Sequence, residues 1–239
     1  MSLLVANWKM HGSRARVRAF AYAVNDSLAR MGAGLEVVFC PPAPYLAAVR
    51  EALPQNARLG IGAQNCHAER EGAFTGEISA AMLADCGARH VILGHSERRR
   101  LGFETCAEAR AKAEAAIAAG LRPIICVGES MAEYDARRTG EVLAGQVAHF
   151  TGLPAGKYVI AYEPVWAIGA GKTPTLAEIS AAHRGIKSTL GSANPVLYGG
   201  SVNAGNLREI LGLSEVQGAL IGGASLEIDG MRALMEIAA

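Results

Sequence analysis

The chain has 239 residues, 51% hydrophobic and 19% charged, with a formal net charge of +1. That length can bury a large core, and a single α/β barrel of roughly 200–250 residues fits it as well as two smaller domains would. A balance so near neutrality argues against a nucleic-acid or membrane-surface protein, so any anionic ligand has to be held by a local site.

Eight short apolar segments bounded by glycine, proline or polar residues read as strands: Leu3–Ala6, Leu35–Cys40, Leu59–Ala63, His90–Leu93, Pro123–Val127, Tyr158–Tyr162, Pro195–Tyr198 and Ala219–Ile221. Helical stretches lie between them. Ser13 to Met31 carries a stripe at Val17, Phe20, Ala21, Val24 and Leu28, with Gly32 as its expected C-cap. Ser79–Asp85 and Glu133–His149 follow the same period, and the charged run Asp135–Arg138 reads as a solvated helix face. Thr105 with Glu108, and Thr175 with Glu178, form capping-box signatures ahead of Thr105–Ala119 and Leu176–Ser188. Ala204–Leu211 and Ile228–Ile237 complete the set. Strands alternating with helices imply parallel pairing, because a parallel crossover needs a dozen or so residues. Eight such units without a linker or composition shift predict a single (β/α)8 barrel over residues 1–239, and no G-x-G-x-x-G follows the first strand to favour a dinucleotide fold.

No apolar run approaches ~20 residues, and no basic stretch precedes an apolar one at Met1, so neither a span nor a signal peptide is expected. The five cysteines, Cys40, Cys66, Cys86, Cys106 and Cys126, contain no C-x-x-C pair. The last four recur every 20 residues, but their flanks share no pattern, and reduced thiols in a cytoplasmic protein are the simplest account.

In barrels, chemistry collects at the carboxyl ends of the strands. The first strand ends Asn7-Trp8-Lys9, where alternation points Asn7 and Lys9 one way and Trp8 the other. Lys9 can serve a phosphate or an oxyanion there, although a lone lysine at such a place is more often solvated. The fourth strand ends Gly94-His95-Ser96-Glu97-Arg98. His95 suits acid/base or electrophilic work, and amides of a helix starting there would favour a neutral ring. The sixth strand ends on Glu163, followed by Pro164 and an apolar, glycine-closed loop with Trp166 at its centre. A carboxylate at a barrel mouth beneath such a loop suits proton abstraction away from water; a loop glutamate beside a packing tryptophan is the plain alternative. The seventh and eighth strands each end in paired glycines, Gly199-Gly200 and Gly222-Gly223, where bare amides approach an anion closely. His67, His90, His149 and His183 lack partners at ligand spacing, so no metal is expected, and Gln64-Asn65 reads as structural.

These residues sit in motifs that run from residue 7 to 226: Asn7-Trp8-Lys9-Met10, Ala63-Gln64-Asn65, Gly72-Ala73-Phe74-Thr75-Gly76-Glu77, Val91-Ile92-Leu93-Gly94-His95-Ser96-Glu97-Arg98-Arg99, Cys126-Val127-Gly128-Glu129, Ala161-Tyr162-Glu163-Pro164-Val165-Trp166-Ala167-Ile168-Gly169, Tyr198-Gly199-Gly200-Ser201-Val202 and Gly218-Ala219-Leu220-Ile221-Gly222-Gly223-Ala224-Ser225-Leu226. Taken in that order the chain resembles the triosephosphate isomerase family, over essentially its whole length. The resemblance implies a cofactor-free TIM barrel of glycolysis and gluconeogenesis that interconverts dihydroxyacetone phosphate and glyceraldehyde 3-phosphate through an enediol. It implies Glu163 as base, His95 as electrophile, Asn7 and Lys9 as polar and cationic contacts, and Glu97 as a neighbour of the lysine. It further implies Gly169, Ser201, Gly222 and Gly223 as the phosphate cradle, Pro164 to Lys172 as a mobile lid, and Gly72–Glu77 as the loop that enters a partner in a homodimer. The chain departs from the family at His11, where asparagine is commoner, at Ala170 for the lid's usual threonine, and at the short segment 190–194. Other phosphate-binding barrels and a non-catalytic barrel remain as rivals; an aldolase would want a lysine inside a strand, and no strand core holds one.

Overall fold

The computed structural model describes residues 2–168 and 173–239. Eight strands lie in chain order and close on themselves: β1 (Ser2–Asn7), β2 (Leu35–Cys40), β3 (Gly60–Ala63), β4 (His90–Leu93), β5 (Arg122–Val127), β6 (Val159–Tyr162), β7 (Val196–Tyr198) and β8 (Gly218–Ile221). All neighbours are parallel, and β1 pairs with both β2 and β8. Helices α1 (Arg14–Ala29), α2 (Leu46–Ala52), α3 (Ala80–Asp85), α4 (Ser96–Gly102), α5 (Cys106–Ala118), α6 (Met131–Asp135), α7 (Thr139–Ala148), α8 (Leu176–Leu190), α9 (Leu207–Leu211) and α10 (Ile228–Ala238) wrap it. Among the described residues no helix is long and apolar enough to cross a membrane.

Alternation along each strand makes two separate cores. Val5, Val38, Ile92, Ile124, Val159 and Leu220 point inward and pack together in the barrel. Their neighbours Leu4, Val37, Phe39, Val91, Ile125 and Ile160 point outward beneath the helices. Trp8 belongs to the outer set, edge-on to Phe20 and Phe39 at 4.8 and 4.9 Å. At the amino-terminal end of the inner face the same alternation turns Glu36, His90 and Arg122 inward. There His90 Nε2 lies 3.4 Å from Glu36, and Arg122 3.8 Å from it.

The capping boxes at Thr105–Glu108 and Thr175–Glu178 form as their spacing predicts. Four expectations need correction. The helix expected over Glu133–His149 is two, α6 and α7, because Arg137 takes a left-handed φ of +56° and breaks the run. Of the Asp135–Arg138 cluster, therefore, only Asp135 lies on a helix, at the end of α6, and the rest forms a turn, with Arg138 paired to Glu141 at 2.7 Å. Helix α1 stops at Ala29 on a right-handed Arg30 whose N–H bonds back to Leu28 and Ser27, so Gly32 is not its cap. Helix α9 starts only at Leu207, because Asn203 accepts from the Gly205 N–H and bonds to Asn206, tying the preceding segment into a turn.

His183, on α8, is fully buried, with its Nδ1 3.2 Å from the Glu215 carbonyl and its ring edge-on to Tyr162 at 5.9 Å. Its Nε2 has no hydrogen-bond partner among the described residues. Burial pushes its pKa down to about 4 against a weaker pull upward from that carbonyl. The unfolded chain takes up this proton near pH 6.5 and the folded one does not, so stability falls as pH drops from about 6.5 toward 4. We expect this histidine to account for about 2 kcal/mol of lost stability between pH 7 and 5. Urea unfolding of the wild type and of His183→Asn at both pH values measures it; an equal pH loss in the two proteins would contradict the assignment.

Candidate active site

The top of β1 aims Lys9 by strain and hydrogen bonds. Lys9 has a left-handed φ of +49°, uncommon outside glycine. Its N–H donates to Asn7 Oδ1 at 3.0 Å, and Gln64 Nε2 donates to the Lys9 carbonyl at 2.8 Å and to that of Cys40 at 2.9 Å. Gln64, read from sequence as structural, thus clamps a strained cation. Trp8 turns away and donates Nε1–H to the Ser225 carbonyl at 3.0 Å. The ammonium is left against Glu97, 2.8 Å away.

At the end of β4 the chain turns at Gly94, whose φ of +65° a side chain would oppose and whose N–H donates to buried Glu104 at 3.1 Å. His95 then caps α4: its Nδ1 accepts from the Glu97 N–H at 3.2 Å. That bond leaves no proton on Nδ1, so the neutral ring carries its proton on Nε2, a tautomer assigned from the bonding pattern. Nε2 lies 3.0 Å from Glu163 Oε1.

Glu163 follows β6 directly and is only 2% exposed. Its Oε2 accepts from the Ser96 N–H at 2.9 Å, and the Ser96 hydroxyl lies 3.5 Å from Oε1. Burial pulls the His95 pKa down, but the Glu163 carboxylate outweighs it, with help from Glu97 and opposition from Lys9, so the net direction is upward. Turn amides alone predict the opposite; the carboxylate at 3.0 Å decides it in this arrangement. Glu97 is held below the usual carboxylate range: its partial burial is outweighed by the Lys9 bond and the charges of Lys9, His95 and Arg100. Behind Glu163, burial and then the carboxylate's charge push the Cys126 thiol up, keeping it protonated.

Ser201, Gly222 and Gly223 line one cleft of 290 Å³ together with Asn7, Lys9, His95 and Glu163. A Cβ on Gly222 would stand 3.4 Å from Lys9 Cε, in ordinary contact, so this backbone already lies beside the lysine side chain. Glu97 faces a neighbouring cleft of 330 Å³, which also reaches Lys9, His95 and the Gly76–Ile78 stretch. The expected lid is described only as far as Ile168; Gly169, Ala170, Gly171 and Lys172 lie outside the described residues. Within the described part, Trp166 Nε1 donates to Glu129 at 2.7 Å, Tyr162 OH donates to it at 3.1 Å, and Ser201 Oγ donates to the Ala167 carbonyl at 3.1 Å. Sequence reasoning passed over Ser96 and Glu129 as site groups. The signal for Glu129 was present, since it too is a carboxylate at a strand's carboxyl end. Among the described residues no cluster of three or more histidine, cysteine or acidic side chains could hold a metal ion.

Comparison with known proteins finds similarity over nearly the whole chain. A family model described as Triosephosphate isomerase matches residues 2–238. Triosephosphate isomerase of Acidiphilium cryptum is 46% identical over 255 residues, covering 99% of this chain and 98% of that protein. That of Jannaschia sp. is 49% identical over 239 residues, covering 94% and 93%. A crystal structure of triosephosphate isomerase from Bartonella henselae superposes with a TM-score of 0.89 at 37% identity, over 99% of this chain and 98% of that one. A closed barrel, a site gathered on its carboxyl rim and full-length similarity to these isomerases have one reading: the chain belongs to the triosephosphate isomerase family.

Proposed function

We propose that this isomerase works as one catalytic domain over residues 1–239, moving a proton between adjacent carbons of a triose phosphate with Glu163 as base and His95 as electrophile. The observation that carries the proposal is the convergence of Glu163, His95, Lys9 and Asn7 with Ser201, Gly222 and Gly223 on one cleft. The phosphate sits against the amides of Gly222 and Gly223 and the Ser201 hydroxyl, with Gly169 as the fourth cradle residue. This leaves C1 and C2 of dihydroxyacetone phosphate beside Glu163. The carboxylate takes a C1 proton, and the negative charge that develops on the C2 oxygen is met by His95 Nε2–H and the Lys9 ammonium, with Asn7 beside it. His95 passes its Nε2 proton to the C2 oxygen and takes one back from the C1 hydroxyl, and return of the carbon-bound proton from Glu163 to C2 then gives glyceraldehyde 3-phosphate. The protein supplies base, electrophile and cation from its own side chains.

Glu163 and His95 hold each other at rest, 3.0 Å apart. Substrate has to enter between them, which frees the Nε2 donor for the carbonyl and the carboxylate from Ser96. Val165 to Ile168 form the apolar start of the lid that covers the site, excluding water that would otherwise favour loss of phosphate from the enediol. Glu97 holds Lys9 and, through its N–H, the His95 tautomer.

The working form is a homodimer in the cytoplasm, in which Gly72–Glu77 of each chain enters the cleft beside Lys9 and Glu97 of the other. Support comes from the exposure of the loop, with Phe74 42% exposed, and of large apolar side chains at Met10 (94%) and Phe103 (84%). All five cysteines are free.

Glu163→Gln should fold normally and lower kcat/KM by roughly 10³-fold, while competitive inhibition by inorganic phosphate stays unchanged. A coupled isomerisation assay decides it, and turnover equal to wild type would remove the base role. In the same variant the His95 pKa should fall below its wild-type value, because the carboxylate that raises it is gone. An imidazole nitrogen NMR titration showing no fall would contradict the pairing. Thr75→Arg, placing a charge on the loop tip, should weaken the dimer by about a hundredfold or more in Kd, the cost of burying an unpaired cation. Sedimentation showing an unaltered dimer would place the interface elsewhere.

A further inference from the structure

The last register pair between β4 and β5 is Leu93 with Ile125. Above it β4 turns away at Gly94 into α4, and β5 loses its neighbour on that side. On its other side the pairing continues: the Glu163 N–H donates to the Val127 carbonyl at 2.8 Å, and the Val165 N–H to that of Glu129 at 3.1 Å. Backbone groups face alternate sides along a strand, so Cys126 and Gly128 present theirs to the vacated side, where they need partners.

Two side chains stand in for the missing strand. Arg99 donates to the Gly94 carbonyl at 2.8 Å and to the Cys126 carbonyl at 3.1 Å. Gln146, from α7, accepts from the Gly128 N–H at 2.8 Å and donates to the Gly128 carbonyl at 2.9 Å. A primary amide carries the same donor and acceptor as a peptide, and here it pairs with both groups of one residue. Gly128 in turn lies flat on the peptide that carries the base: a Cβ built there would stand 1.7 Å from the Glu163 carbonyl oxygen and 2.7 Å from its carbon.

We propose that Gln146 is a positioning residue for the isomerisation, setting the height of Glu163 through Gly128. This rests on Glu163 as the base. With both Gly128 bonds made, its neighbours Val127 and Glu129 keep their carbonyls aimed at the Glu163 and Val165 N–H groups, and the carboxylate starts from a fixed backbone. Without them that stretch of β5 can rotate, and the error is carried to the reacting oxygen along a short side chain. Displacements of about 1 Å at a reacting group can cost about 10²-fold in rate. Gln146 touches neither the cleft nor the glycines that line its phosphate end.

The test compares Gln146→Leu, which keeps the reach and removes both bonds, with Gln146→Glu, which keeps an acceptor and loses the donor. Glu163→Gln is run alongside. Turnover is measured per folded molecule, with the folded fraction read by circular dichroism. Gln146→Leu should lose roughly ten- to a hundredfold in kcat, Gln146→Glu less, while KM and inhibition by inorganic phosphate stay at wild-type values. A merely structural role would move the melting temperature and leave kcat per folded molecule alone. A folded Gln146→Leu with kcat within twofold of wild type overturns the proposal, as does a parallel loss of phosphate affinity. If Gln146→Leu does not fold, Gln146→Glu decides by the same criteria. Wild-type turnover in Glu163→Gln would instead remove the base reading, whatever the Gln146 variants do.

Discussion

A carboxylate that is 2% exposed must be partnered, and the upper rim of the barrel is arranged around that requirement at Glu163. Its oxygens take His95 Nε2 and the Ser96 N–H. Both partners exist because α4 starts where it does: the first amides of a helix have no internal acceptor, so Ser96 offers one to Glu163 and Glu97 offers one to His95 Nδ1. The helix starts there because Gly94 turns left-handed and Glu104 holds its N–H. Glu104 is itself buried, bonded to Arg98 at 3.3 Å and within 3.4 Å of Lys112. A chain of satisfied polar groups therefore runs from the barrel's flank to the base, and each link is needed because the next is out of water.

How much of this was readable in the chain depends on which physical signal carried it. The strands were legible because each buries both faces and shows as a short apolar run between glycine and polar punctuation. Helices α5 and α8 were legible from their capping boxes, which are local. Helix α4 was not, because Ser-Glu-Arg-Arg-Arg-Leu-Gly has no apolar stripe; it is held by the His95 cap and the Glu104 contacts, which come from the fold. The break between α6 and α7 escaped for the opposite reason: the apolar period carries on through it, while the backbone of Arg137 does not. The strand ends pointed to Asn7, Lys9, His95 and Glu163 and to the glycine pairs, since function in a barrel follows the rim. Gln64 was read only as structural, Ser96 only as part of the turn beside His95, and Gln146 not at all, because they act through backbone groups, and any uncharged polar residue has the same appearance in a sequence.

The charges at the mouth also explain why a chain of net charge +1 can handle a phosphorylated substrate. Lys9 is paired with Glu97, and Glu163 is bonded to the neutral His95 ring, so these four groups carry no excess of positive charge to draw in a phosphate. Long-range steering is correspondingly weak, and on the proposed function recognition falls to the amides around Gly222 and Gly223. Catalysis then requires one of those pairs to part. A hydrogen bond to a charged group is worth about 1.5–3 kcal/mol, so releasing Glu163 from His95 and Ser96 costs a few kcal/mol before any proton moves. Contacts at the reacting carbons cannot supply it, because they form only as the pair parts. The phosphate end can, since its contacts form first and persist through the reaction. On the proposed function the glycine turns after β7 and β8 are more than an anchor: their binding energy uncovers Glu163.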